Sequence, residues 1–256
     1  MVTRGFCMLT RSLKILIGLC LLFSHALYAA NVGLLVMATG KYVSFVPPLV
    51  KSADHFFCKN HKVTYFVFTD GYLEPMPNVV PIFHAKMGWP YDTMMRYHVY
   101  DMHRDAFAGQ DYLYACDADM LFVGEVGDEI LGNRVATRHP GFINRPKSSY
   151  TYERNPLSTA YIPQGEGNDY FAGGFYGGTK DEFLNIVHTN AVNIDQDMQN
   201  GIIAVWHDES HWNRFCINNP PTVILSPSYC YPQGLRIPFL PKLIALDKNH
   251  EEMRKG

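Results

Sequence analysis

The chain has 256 residues, 47% hydrophobic, 14% aromatic and 18% charged, and its 22 Lys+Arg against 24 Asp+Glu leave a formal charge of −2. A chain of this length buries a sizeable core, and 16 Tyr with 16 Phe is far too much aromatic content for a disordered segment. The near-neutral balance removes the basic footprint of a nucleic-acid binder.

Residues 1–30 read as a signal sequence or a short membrane anchor. Arg4, Arg11 and Lys14 precede the apolar run Ile15–Phe23, and the small residues Ser24, Ala26, Ala29 and Ala30 follow, which places cleavage after Ala26 or Ala29. The run is shorter than the roughly 18–20 residues that cross a bilayer. Extended to Ala30 it becomes a marginal span, so membrane association through residues 15–30 is the alternative, and the expected location is the secretory pathway or a membrane. Loss of residues 1–30 removes three cations and no acids, which takes the charge to −5 and leaves Cys58, Cys116, Cys216 and Cys230. No C-x-x-C pair is present, which argues against a zinc ribbon and leaves room for one or two disulfides.

From residue 31 onward, short apolar runs alternate with helical patterns, the signature of an α/β domain spanning 31–256. Val32–Ala38 and Val63–Phe68 read as strands buried on both faces, with a helix over Pro47–Asn60 between them. Val79–Phe83 is a third strand. Over Tyr91–Ala108 the residues Met95, Val99, Met102 and Ala106 recur at helical spacing and predict one helix with that buried face. Tyr112–Cys116 is a strand that runs into Asp117-Ala118-Asp119, which puts two carboxylates at its carboxyl end, where open α/β sheets present ligand sites. Residues 138–170 carry no period and predict loops over the sheet, long enough to be functional. A helix from Asp181 stacks Phe183, Val187, Ala191, Ile194 and Met198, and another begins near His207. The tail Asp247–Gly256 is charged, a composition compatible with mobility at a chain end.

Four groupings carry chemistry. Asp117 and Asp119 alternate onto one side of an extended strand and offer hard oxygens suited to Mg²⁺ or Mn²⁺. Asp195-Gln196-Asp197 has the same spacing within a helix and reads as a solvated face. In Trp206-His207-Asp208-Glu209-Ser210-His211 the two histidines lie four apart, as zinc ligands do, but Asp208 stands where the zinc-protease pattern has Glu, and a capped helix start is the plainer reading. Phe171–Gly178 is aromatic and glycine-rich, which serves either close backbone approach to a ligand or a buried strand with a bulge. Arg96, Lys248 and Arg254 are cations able to meet phosphate oxygens.

Taken in order, KYVSF (41–45), VTYFVFTD (63–70), MMR (94–96), CDADM (116–120), RHPGF (138–142), YTYERN (150–155), AYIPQGEGNDYF (160–171), GGFYGG (173–178), NGI (200–202), AVWHDESHWNR (204–214), ILSPSYC (224–230) and KNHEEMR (248–254) resemble glycosyltransferase family 6. This family includes the blood-group A and B transferases and the α-1,3-galactosyltransferases. The resemblance implies a GT-A fold, a Rossmann-like nucleotide-sugar-binding domain with a mixed central sheet flanked by helices. It implies retaining transfer of galactose or N-acetylgalactosamine from a UDP-sugar to the 3-hydroxyl of a β-galactoside glycan, fucosylated or not, with Mn²⁺ as cofactor. On matching positions Ala38, Thr39 and Tyr42 would cradle uracil and ribose, Arg96 would contact the donor, and Asp117 and Asp119 would hold the metal. Ala172, Gly173 and Gly174 would set donor choice, Asp208 would meet donor hydroxyls, and Lys248 and Arg254 would close the tail over the diphosphate. His139, Thr151 and Trp206 would meet the acceptor, and Glu209, also in reach of the acceptor, would be the catalytic carboxylate.

Glycine at 174 is expected to leave room beside the 2-substituent of the sugar and so to favour UDP-N-acetylgalactosamine. Tyr231-Pro232 stands where mammalian members carry an acceptor-binding Asp, which leaves acceptor identity open. Two other classes compete: a catalytically silent glycan-binding module on the same fold, and a zinc hydrolase using His207 and His211.

Overall fold

The computed structural model describes residues 29–254. The expected signal or anchor, residues 1–30, lies almost wholly outside them, and no helix among the described residues is long and apolar enough to cross a membrane. In chain order the elements are β1 (Asn31–Met37), α1 (Val46–Phe56), β2 (Lys62–Thr69), β3 (Val79–Phe83), α2 (Tyr91–Met94), α3 (Arg96–Met102), β4 (Tyr112–Asp117), β5 (Met120–Phe122), β6 (Arg134–Arg138) and β7 (Phe171–Thr179). They continue with α4 (Lys180–Gln199), α5 (His207–Asn218), β8 (Val223–Leu225), β9 (Tyr231–Pro232), β10 (Leu243–Ala245) and α6 (His250–Arg254).

Seven strands form one mixed sheet in the order β3-β2-β1-β4-β7-β6-β8, and β5-β10-β9 make a small second sheet. Strands β3, β2, β1 and β4 run parallel, while β7 is antiparallel to both β4 and β6. Side-chain alternation divides the core between the two faces: Val32, Leu34 and Val36 join one cluster with α1, and Leu35 joins the other with α3, α4 and α5. Helix α1 starts on two prolines and buries Val46, Leu49, Val50 and Ala53, one stripe at helical spacing.

This topology fixes the cleft. Strand order reverses beside β1, which pairs with β2 on one side and β4 on the other, and Met37 lies in register with Asp117 at the carboxyl ends. The crevice at such a switch point is where a parallel sheet receives a nucleotide.

Two helical expectations need correction. The single helix over Tyr91–Ala108 is broken at Met95 and His103, and Met102, 78% exposed, and Ala106 face solvent. The chain turns Arg96, Tyr97, Val99 and Tyr100 inward instead. Arg96 must reach acids on other elements, a demand that apolar periodicity does not register. In α4, Met198 is half-exposed and Asp197 is buried. Asp195 is solvated as expected, but Asp197 Oδ1 accepts from the Thr159 N–H at 2.7 Å and Oδ2 from the Ser158 hydroxyl at 2.5 Å. Its carboxylate therefore pins the 150–162 loop to the helix.

The loop region 138–170 holds only short 3-10 turns, with Tyr152, Ile162 and Tyr170 forming a small core of their own. The tail after Asp247 forms α6, and Lys41 Nζ donates to the Glu252 carbonyl at 3.1 Å. All four cysteines among the described residues are free thiols, so the room left for one or two disulfides is not used.

Close packing of β4 on β7 relies on Gly177, where an added Cβ would stand 2.2 Å from the Leu113 carbonyl oxygen. Gly177→Ala is expected to lower unfolding free energy by about 1–3 kcal/mol, read from urea midpoints; an unchanged midpoint would contradict this spacing.

Candidate active site

The cleft at the switch point, about 190 Å³, is lined by Thr39 and Tyr42 after β1, Trp89 before α2 and Asp92 in its first turn, Arg96 on α3, and Asp117 and Asp119 at the end of β4, with Lys248 and His250 of the tail closing it. Strand β4 stops at Asp117 and Ala118-Asp119 form a turn, so the acidic pair is presented by a strand end and a turn rather than by strand alternation. Both acids nevertheless line the same cleft.

Arg96 organises the floor. Its Nη1 lies 3.0 Å from Asp117 Oδ1 and donates to the Gly173 carbonyl at 3.1 Å, and its Nε stands 3.1 Å from Asp208 Oδ2. Burial disfavours its charge, yet Asp208 and Asp117 hold the guanidinium well above the ordinary arginine range. Asp208 in turn is pushed up to about 6, with burial as the main cause and Arg96 opposing it.

The Phe171–Gly178 strand is both things its composition suggested. Between β6 and β7 the register jumps from Ala136 opposite Tyr176 to Thr137 opposite Ala172, so residues 173–175 leave the β6 ladder, and β4 pairs with β7 only as far as Phe175. Thr137 Oγ1 caps the bulge by donating to the Phe175 carbonyl. Gly173 is thereby released from both neighbours, and its N–H donates to Glu209 Oε2 at 2.8 Å while its carbonyl accepts from Arg96. An added Cβ at Gly173 would sit 3.5 Å from Asp208 Oδ2 and from the Glu209 Cβ. Gly174 faces the other way, where an added Cβ would lie 2.6 Å from the Met120 methyl and 3.2 Å from Asp117 Oδ2. The room expected beside Gly174 is thus bounded by the flexible end of Met120, and Ala172 is buried.

Helix α5 carries the two acids expected to act on the sugar. His207 turns into it with a left-handed φ of 50°, and its ring meets Trp89 edge-on at 4.8 Å. Asp208 and Glu209 follow in the first turn. Glu209 is half-buried, its Oε1 accepting from the Tyr170 hydroxyl at 2.9 Å and its Oε2 from Gly173. Burial raises its pKa to about 7, against these two donors. Trp206, 48% exposed, stands immediately before the helix.

A second cavity, about 250 Å³, adjoins through Tyr170 and is lined by His139, Phe142, Tyr150 and Phe239. His139 Nδ1 accepts from the Gly141 N–H, and burial lowers its pKa to about 4, so the ring is neutral with its proton on Nε2. Thr151 is exposed and hydrogen-bonded to the Tyr170 hydroxyl.

The expected residues Thr39, Tyr42, Arg96, Asp117, Asp119, Gly173, Asp208, Glu209 and Lys248 therefore converge, with His139 in the second cavity and Thr151 bonded to Tyr170 of its wall. Ala38 does not: it is fully buried in the core. Arg254 ends α6, but its side chain lies outside the described residues. Tyr170, Trp89, Asp92, Met120 and His250 were not singled out from sequence. Tyr170 lay within a quoted segment, but nothing in its spacing marked it.

Asp117 and Asp119 fit a divalent cation in part of its shell: they are hard oxygen donors side by side, each already facing a cation, Arg96 and Lys248 respectively. Among the described residues no group of three His, Cys, Asp or Glu could enclose a metal, so the further positions of a cation held there would have to be filled from outside these side chains. The zinc reading fails: His211 is buried against Asp197, with Nε2 3.7 Å from Oδ2, while His207 packs on Trp89.

Comparison with known proteins agrees with this geometry. The family model described as glycosyltransferase family 6 matches residues 21–255. Histo-blood group ABO system transferase 1 of Rattus norvegicus is 38% identical over 243 residues, covering 88% of this chain and 68% of that protein. Globoside alpha-1,3-N-acetylgalactosaminyltransferase 1 is 36% identical over 245 residues in Gallus gallus, covering 88% and 69%, and 34% identical over 234 residues in Homo sapiens, covering 86% and 67%.

Because Glu209 has a raised pKa in the folded state, its contribution to stability is complete below its unfolded pKa and is lost as pH rises toward about 7. Glu209→Gln is expected to be more stable than the wild type at pH 8, by on the order of 2 kcal/mol, with no advantage at pH 4. Urea midpoints at the two pH values check this; an equal offset at both would refute it.

Proposed function

The chain belongs to glycosyltransferase family 6, and from that premise we propose that it moves N-acetylgalactosamine from UDP to the 3-hydroxyl of a β-galactoside, with Glu209 as the reacting carboxylate. It is a UDP-sugar-dependent hexosyltransferase of the retaining α-1,3 kind. The observation that carries the residue assignment is the Gly173 peptide, which binds Glu209 through its N–H and Arg96 through its carbonyl, beside the acidic pair.

In the transfer, the bond from the anomeric carbon to the diphosphate breaks with its electron pair going to UDP, and a bond forms to the acceptor 3-oxygen, whose proton passes to the released diphosphate and from there to solvent. Positive charge develops on the sugar, and Glu209, held on the site floor by its two donors, stabilises it. Negative charge develops on UDP, where Arg96 and Lys248 lie within the same cleft. Asp117 and Asp119 would hold a divalent cation, which we propose is Mn²⁺, supplying further charge neutralisation to the diphosphate. The closed tail excludes water from the reacting centre. His139, Thr151 and Trp206 are assigned to the acceptor, and the neutral His139 offers it a fixed Nε2 donor. Preference for N-acetylgalactosamine rests on the glycines at 173 and 174 and on the yielding end of Met120.

UDP release from donor, Mn²⁺ and a β-galactoside is expected to fall by about 100-fold or more in Glu209→Ala; undiminished turnover would remove Glu209 from the reaction. EDTA is expected to suppress turnover and Mn²⁺ to restore it. With the two donors compared at equal concentration, a faster rate with UDP-galactose would reverse the donor assignment.

A further inference from the structure

We propose that Tyr170 is a positioning residue for Glu209, its hydroxyl holding that carboxylate ionised and aimed at the reacting centre from the wall of the second cavity. The proposal rests on the transferase reading and adds to it. Glu209 has two oxygens and two donors, the Gly173 N–H and the Tyr170 hydroxyl. Only Tyr170 is a side chain, so it is the one whose removal leaves the backbone intact.

The Tyr170 ring is itself held on several sides. It is buried, stacks on Tyr152 with centroids 5.3 Å apart, meets Phe142 at 4.4 Å and stands edge-on to His139 at 5.6 Å. Its carbonyl accepts from the His139 N–H at 2.9 Å, and its hydroxyl is hydrogen-bonded to Thr151. The group that fixes Glu209 is thus part of the cavity assigned to the acceptor, next to His139 and Thr151, two of the residues expected to touch it.

The charges around Glu209 make this donor matter. Asp208 on the same helix and Asp117 at the end of β4 oppose its ionisation, as does burial, and Cys230 stands nearby after β8. Arg96 spends its contacts on Asp117, Asp208 and the Gly173 carbonyl rather than on Glu209. Two hydrogen bonds therefore hold the carboxylate in its charged form, and one of them comes from Tyr170. Loss of one donor to a charged oxygen in such surroundings raises the acid's pKa by about one unit or more.

The test is the pH dependence of kcat/KM for sugar transfer in Tyr170→Phe against the wild type. The acidic limb is expected to move up by about one pH unit, with the plateau about tenfold lower and UDP binding by calorimetry unchanged. An unmoved limb overturns the role. Tyr170→3-fluorotyrosine keeps the ring and makes a stronger donor, so its limb is expected to move down. A limb that stays put or moves up in this variant overturns the role even where Tyr170→Phe fails to fold. No transfer by the wild type with any β-galactoside takes down the activity and this role together, whereas transfer with unmoved limbs sinks only Tyr170.

Discussion

A buried guanidinium is the constraint around which this molecule is built. Arg96 cannot shed its proton, so the core must supply acids to it permanently, and Asp117 and Asp208 do so from the end of β4 and the start of α5. Removing one partner of such a group typically costs about 3–5 kcal/mol, because a charge is left without compensation. The same side chain also fastens the Gly173 carbonyl. One residue on α3 therefore sets the relative position of the acidic pair, the bulged strand and the helix that carries Glu209.

The bulge is what makes this assembly chemical rather than merely structural. Where β7 stays in the ladder its peptides serve β4 and β6, and where it leaves, the Gly173 peptide serves Glu209 and Arg96. An added Cβ at Gly173 would lie in van der Waals contact with Asp208 and Glu209, so the bare peptide sits directly against the two acids. The loop at 150–162, which carries Thr151, is fixed from behind by Asp197, and Glu153 ties it to the entry of α5 by accepting from the Asn155 and Val205 N–H groups. A long segment without regular secondary structure thus acquires fixed geometry through two buried acids.

Much of this was legible in the residues. The strands and the acidic pair at a strand end follow from apolar runs and topology, and the site residues follow from the ordered family motifs. What escaped was wherever a polar side chain faces inward. Periodicity placed Met102 and Met198 in the core and missed Arg96 and Asp197, because it scores hydrophobicity while the fold at those positions is decided by ionic and hydrogen-bonding partners distant in sequence. Tyr170 is the same case: its importance lies in an oxygen atom 39 residues away along the chain. Ala38 lies fully buried in the core, although its neighbour Thr39 lines the cleft.

The inventory of formal charge in the cleft has a consequence for how it fills. Among the ion-paired groups at its floor, Asp117, Asp119 and Asp208 when ionised outnumber Arg96 and Lys248 by a single negative charge. A dication arriving alone inverts that sign, and a sugar-nucleotide dianion arriving alone triples it. Arriving together they leave it as it was, so electroneutrality favours loading as a pair and discharge as a pair.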